Sequence, residues 1–146
     1  MQHHACWAIG NLAVGRKENR VPLSSAGAHI AAIAAMQRLK GNVDVATQGC
    51  WALAGLALSS RNQKIIPREH GIKTILTAMK QHGHRCEGVQ LNGCWAIGNL
   101  ALEPENREKT AKFKGHQSVI QAMRWFPQSP GVQQYGGLFF FLPRLR

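Results

Sequence analysis

The chain has 146 residues, 45% of them apolar, which suits one globular domain or a short repeat array and argues against general disorder. Eighteen Lys and Arg against seven Asp and Glu give a net charge of +11 and a pI near 10.3. That field favours acidic partners, but nucleic acid, anionic membrane, acidic protein and a merely solvated basic face all satisfy it.

The chain opens as MQHHACWAIG, without the basic-then-apolar pattern of a secretory signal. Reduced thiols and a cytoplasmic or nuclear location are therefore expected. The octet CWAIGNLA stands at 6–13 and again at 94–101, with CWALAGLA at 50–57, so the phrase recurs every 44 residues. Such a period marks stacked structural units. The units run 1–44, 45–88 and 89–131, and a partial fourth opens as VQQYGG at 132–137 before 138–146 departs from the pattern. Asn19, Asn62 and Asn106 follow each phrase, and Met36, Met79 and Met123 close a second apolar segment.

Each unit reads as three helices. The first is short and polar, as in ENREKTAKFKG at 105–115, with acids near its start and lysines near its end, as the helix dipole favours. Pro22 and Pro67 predict kinked or late-starting versions in the other units. Gly71 and Gly115 are expected to mark the turn into the second helix, where Ile72, Ile75, Leu76 and Met79 form one stripe at 72–82. The third helix carries the phrase, at roughly 45–59 and 89–102. On a wheel of 100° per residue, Val45/Val89, Ala52/Ala96, Leu53/Ile97 and Leu56/Leu100 share an arc from about 200° to 300°, flanked by Cys50/Cys94 and Ala57/Ala101. Trp51/Trp95 and Asn99 fall on the opposite side with Gln48 and Asn92, outside the core stripe.

No unit can cover its own apolar faces, so neighbours must stack. The period, the three helices and the WALxNLA-type third helix resemble the armadillo repeat family over about 1–137. The resemblance implies an all-α fold: a right-handed armadillo-type α-solenoid of about three repeats. HEAT repeats are the near neighbour, usually with two helices and without the Trp/Asn phrase. In importin-α-like members, third helices line a concave groove where W-x-x-x-N arrays grip extended peptides. Trp7–Asn11 and Trp95–Asn99 match that array, while Trp51 is followed by Gly55 and Leu138 stands where a fourth Trp belongs. The acidic residues that receive basic cargo in such grooves are missing from the tryptophan face, so neutral or acidic peptides are favoured over basic ones.

A Trp and an Asn four residues on lie side by side on a helix. The amide offers donor and acceptor to a peptide backbone, and the indole offers stacking area. The expectation is a non-catalytic scaffold gripping an extended peptide through Trp7, Asn11, Trp51, Trp95 and Asn99, with Gln48 and Asn92 beside them. The plain competing reading packs each Trp only against the neighbouring unit, as a structural spacer. Single-stranded nucleic acid is a third possibility, through the aromatics and Arg61, Lys64, Arg68, Lys73, Lys80, Arg107 and Lys109, although these cations are dispersed.

His82, His84 and Cys86 alternate, but no fourth ligand is near, and neither a metal nor a cofactor is expected. No phosphate-cradling loop or nucleophile elbow occurs, and Cys6, Cys50 and Cys94 repeat with the period, as buried fillers would, so no enzyme activity is expected. Both ends depart from capped solenoids: the first unit lacks its first two helices, Pro143 should stop any helix, and LFFFL at 138–142 should be an exposed edge. These features predict a piece of a longer array or a misread end.

Overall fold

A computed structural model describes residues 1–141. Among them the chain is all-helical, with no strand: α1 Gln2–Gly15, α2 Arg20–Ser25, α3 Ala28–Arg38, α4 Val43–Leu56, α5 Ser60–Ile65, α6 Gly71–His82, α7 Glu87–Leu100, α8 Pro104–Lys112, α9 Gly115–Trp125 and α10 Pro130–Phe141. The phrase helices pack in one row, α1 on α4, α4 on α7 and α7 on α10. The second-segment helices make another, α3 on α6 and α6 on α9, and α3, α6 and α9 each touch the phrase helix that follows.

The core lies between these rows and follows the predicted arc. Val45, Ala52, Leu53, Leu56, Val89, Ala96, Ile97 and Leu100 are all buried, and Cys6, Cys50 and Cys94 are buried beside them. Burial drives the Cys94 thiol up to about 12 and raises those of Cys6 and Cys50 as well, because a thiolate there would lose its hydration. The methionine landmarks have a packing reason. Met36, Met79 and Met123 lay their Cγ and Sδ atoms against Gly49, Gly93 and Gly136, where any Cβ would overlap them. A flexible thioether fills the space that the glycine opens.

The asparagine landmarks also resolve. The last carbonyls of a helix have no partner within it and need an outside donor. Asn62 Nδ2 donates to the Leu56 carbonyl and, across the unit boundary, to that of Arg20. Asn106 Nδ2 repeats the arrangement with Leu100 and Gln63. Asn19 Nδ2 reaches Leu12 in the first unit. The next residue caps the next carbonyl: Arg20 that of Ala13, Gln63 that of Ala57 and Arg107 that of Ala101. A polar dipeptide after each phrase thus ends its helix and ties that end down.

Several local expectations shift. The phrase helices start and stop about two residues early, because these caps close them at Leu56 and Leu100. The turns into α6 and α9 fall on His70 and Lys114, both left-handed at φ 63° and 58°, and Gly71 and Gly115 are instead the first helical residues. Those glycines are needed because a Cβ would overlap Ile66 or Thr110. Pro22 sits in the first turn of α2, where its missing N–H leaves no gap, and Pro67 converts the end of the α5 segment to a 3-10 turn at Ile66–Glu69. α8, without an internal proline, runs unbroken. Past residue 137 the chain stays helical to Phe141, leaving Leu138, Phe140 and Phe141 exposed. Leu142 and the expected stop at Pro143 lie outside the described residues.

Candidate functional site

The phrase row brings its aromatic residues together. Trp51 on α4 and Trp95 on α7 are half-buried, their ring centroids 5.2 Å apart and tilted by 47°. Trp95 in turn stacks on Tyr135 of α10, at 5.5 Å and 27°. Three consecutive helices therefore share one aromatic strip. Trp7 stands on α1 at the near end of the row and is 54% exposed. The separations fall in the range where offset or tilted ring pairs attract.

Tyr135 was not anticipated. It occupies the register of Gln48 and Asn92, three positions before the place of the tryptophan, and Leu138 holds that place in the fourth unit. A tyrosine three residues upstream lies on the same helix face, so the ring returns to the strip from a different position. The register of Gln48 and Asn92, already on the tryptophan side of the wheel, was the signal available for it.

The carboxamides divide into two kinds. Asn99, half-buried on α7, donates Nδ2 to the Ala54 carbonyl of α4 at 3.0 Å. One turn after another back along the same helix, buried Asn92 donates to the Thr47 carbonyl, also at 3.0 Å. The pair straps α7 to α4 at two points seven residues apart on each helix. Ala54 lies in the last turn of α4, so Asn99 satisfies a carbonyl the helix itself leaves open. Each amide spends one N–H this way and retains its oxygen and second N–H for other partners. Asn11 behaves differently: it is exposed, and its Oδ1 accepts the Trp51 indole N–H at 3.3 Å. Gln48 is half-buried on α4 near the same side.

At the middle rung, Gly55 replaces the asparagine. A Cβ at that position would press on Ala13, Val14 and the Gly10 carbonyl, at 3.0 to 3.3 Å, so α1 approaches α4 where an amide strap would otherwise stand. The Trp51 indole lies directly over Gly10, leaving no room for a side chain there.

The charge of this side needs one correction. Because α4 starts at Val43, Asp44 falls in its first turn, seven residues before Trp51 and so on the same helix side. The tryptophan face therefore carries one exposed carboxylate at its edge. Of the cations considered for nucleic acid, Arg107 spends its Nε on capping Ala101. His82 is buried with Nε2 3.1 Å from the Lys40 carbonyl, which ties the end of α6 to the linker after α3 in the unit before. No helix among the described residues is long and apolar enough to cross a membrane.

Comparison with protein-family models, curated proteins and solved structures returned no match.

Proposed function

We propose that the chain is an armadillo-type solenoid of about three units, acting as a non-catalytic interaction scaffold that holds an extended peptide segment along its Trp/Asn-lined side. The aromatic strip of Trp51, Trp95 and Tyr135 is the observation that supports this reading. Half-buried rings on successive helices are fixed by their mutual packing yet keep an open edge. They divide the surface into pockets at little further entropic cost to a ligand. Asn11, Asn92 and Asn99 border the strip with amide groups that are only partly spent, suited to pairing with a peptide backbone whatever its side chains. With a net charge of +11, the scaffold selects neutral or acidic segments, and Asp44 offers one contact to a cation at the edge.

A peptide-display library selected against the chain tests this. The best binder is then titrated against Asn99→Ala and against the double change Trp95→Ala, Asn99→Ala. The single change should weaken binding by about 1–3 kcal/mol, the range for removing a buried polar partner, and the double change should weaken it further. Unchanged affinity of the double variant, with helical content preserved, removes the groove.

The two straps from α7 to α4 also favour a purely structural reading, in which the Trp/Asn phrase exists to bind helix to helix. Selection that yields no binder, together with lower stability of Trp95→Ala, is the outcome that reading requires. A strand of nucleic acid would declare itself by affinity that collapses as salt rises.

A further inference from the structure

A pair of grooves opens on the other row of helices. One, of about 410 Å³, is lined from α3, α6 and the turns beside them by Lys40, His70 and Lys73 together with Gln37, Thr77 and Gln81. The next, of about 320 Å³, lies one unit further along between α6 and α9, where Lys80, Lys114, Gln117, Ser118, Phe113 and Trp125 line it. They are the same cavity in successive units. Met36 and Met79 correspond, as do Gln37 and Lys80, His70 and Lys114, Lys73 and Gln117, and Thr74 and Ser118. Neither lining contains an Asp or Glu.

The backbone supplies a second, independent observation. The turn before each second-segment helix is left-handed, at Gly27, His70 and Lys114. Glycine accepts that conformation freely, whereas a bulky side chain is disfavoured there. The two units that possess a groove both place a basic residue at this strained position, and both of those residues line the groove. Gly27, at the same turn of the first unit, lines neither groove. Strain retained at a residue that lines a cavity points to a role for its side chain.

We propose that these grooves form a second binding face, for an acidic polypeptide segment whose carboxylates enter successive grooves. Lys40, Lys73, Lys80 and Lys114 supply the countercharge, and the His70, Gln, Thr and Ser side chains supply further polar contacts. A nucleic-acid strand fits less well. Proteins that hold single strands combine cations with stacking rings in one channel. Here rings line only one of the two grooves: Phe113 and Trp125 stand in the smaller, while the larger has no Trp, Tyr or Phe. No stacking surface therefore runs from groove to groove, and the aromatic strip lies on the other row of helices. This face does not depend on the Trp/Asn face for its argument.

The test is fluorescence anisotropy with a fluorescein-labelled oligoglutamate, compared with an oligothymidylate of the same charge. The groove variant Lys40→Gln, Lys73→Gln is set beside Lys64→Gln, Lys112→Gln, which removes the same charge from exposed sites outside both grooves. The groove variant should lose about tenfold or more in affinity for oligoglutamate, as expected for two charged hydrogen-bond donors. The control pair should stay near the parent value, and so should Trp95→Ala, which keeps a failure of this face distinct from a failure of the other. Equal losses in groove and control variants would reduce the binding to the overall field and overturn the proposal. Tighter binding of oligothymidylate would overturn it in favour of nucleic acid, and abolition by Trp95→Ala would place the acidic ligand on the aromatic side instead.

Discussion

The junction of α1 with α4 and that of α4 with α7 are built from nearly the same phrase, yet they hold together differently. At the first, Gly10 and Gly55 face each other's helices, the Trp51 indole lies on Gly10, and Asn11 reaches forward to the indole N–H. At the second, Ala54 and Asn99 stand in the corresponding places, and the amide reaches back to the Ala54 carbonyl, with Asn92 repeating the strap at Thr47. One junction relies on close backbone approach and the other on amide straps. Exchanging Gly and Asn at a single phrase position decides which, because only glycine lets the neighbouring backbone come that near, and only asparagine can bridge the gap left when it does not.

The sharpest way to break this comparison is through the buried asparagines that cross each boundary. Asn62 bonds the Leu56 and Arg20 carbonyls and also accepts the Ser24 hydroxyl at 2.6 Å, whereas Asn106 bonds two carbonyls. Asn62→Ala should therefore cost about 3 kcal/mol and Asn106→Ala about 2 kcal/mol in urea unfolding, since each strands buried polar groups. Equal costs would mean that the Ser24 contact adds nothing to the first boundary.

Gly10→Ala comes next. Its methyl group would occupy the space of the Trp51 indole, so the ring must leave its seat, at a cost of about 2 kcal/mol for overpacking. Tryptophan emission should shift red as Trp51 becomes wetter; an unshifted spectrum with full stability would show that α1 and α4 have slack between them. Gly98 lies in the same register with nothing nearer than 3.9 Å to an added Cβ, so Gly98→Ala should be tolerated. The contrast isolates the first junction.

Asn99→Ala, which removes one strap and takes the donor from the carbonyl of buried Ala54, should lower stability by about 1 kcal/mol even with no ligand present. The smallest expected effect concerns the thiols. Cys86 is half-buried and should be alkylated at mildly alkaline pH while Cys50 and Cys94 stay protected, as mass spectrometry of labelled peptides would report. Burial raises the folded pKa of Cys94 from 9.0 to about 12, so folding favours its protonated form. The associated stability is fully present below the unfolded value and declines as pH rises from about 9 towards 12. Labelling of Cys94 at the same rate as Cys86 near pH 8 would show the core to be open.

Much of the architecture could be read before any coordinates. Repetition of the phrase marked the units, and the arc of Val45, Leu53 and Leu56 marked the buried side of its helix, because periodic burial leaves a periodic pattern. The site was read only in part. Trp51 and Trp95 were placed outside the core stripe, and they are half-buried against each other, but a wheel for one helix says nothing about the ring on the next. Tyr135 was missed for that reason. The intramolecular partners of Asn92 and Asn99 could not be read along one helix, because they lie 45 residues back, on a neighbouring helix. Asp44 was left outside its helix because the Asn42 side chain, which accepts the Val45 N–H, starts α4 earlier than the apolar pattern does.

By itself the sequence determined the repeating unit, the helical state of each segment and which side of each phrase helix is buried, since these depend on local periodicity and on the glycines and prolines that punctuate it. The tertiary structure alone decided how successive units are joined, by glycine contact or amide strap. It also decided which rings form one strip, and that basic side chains from separate turns converge on two matching grooves. These are relations between atoms some forty residues apart, and distance in space between such atoms is set by packing and by nothing in the order of the letters.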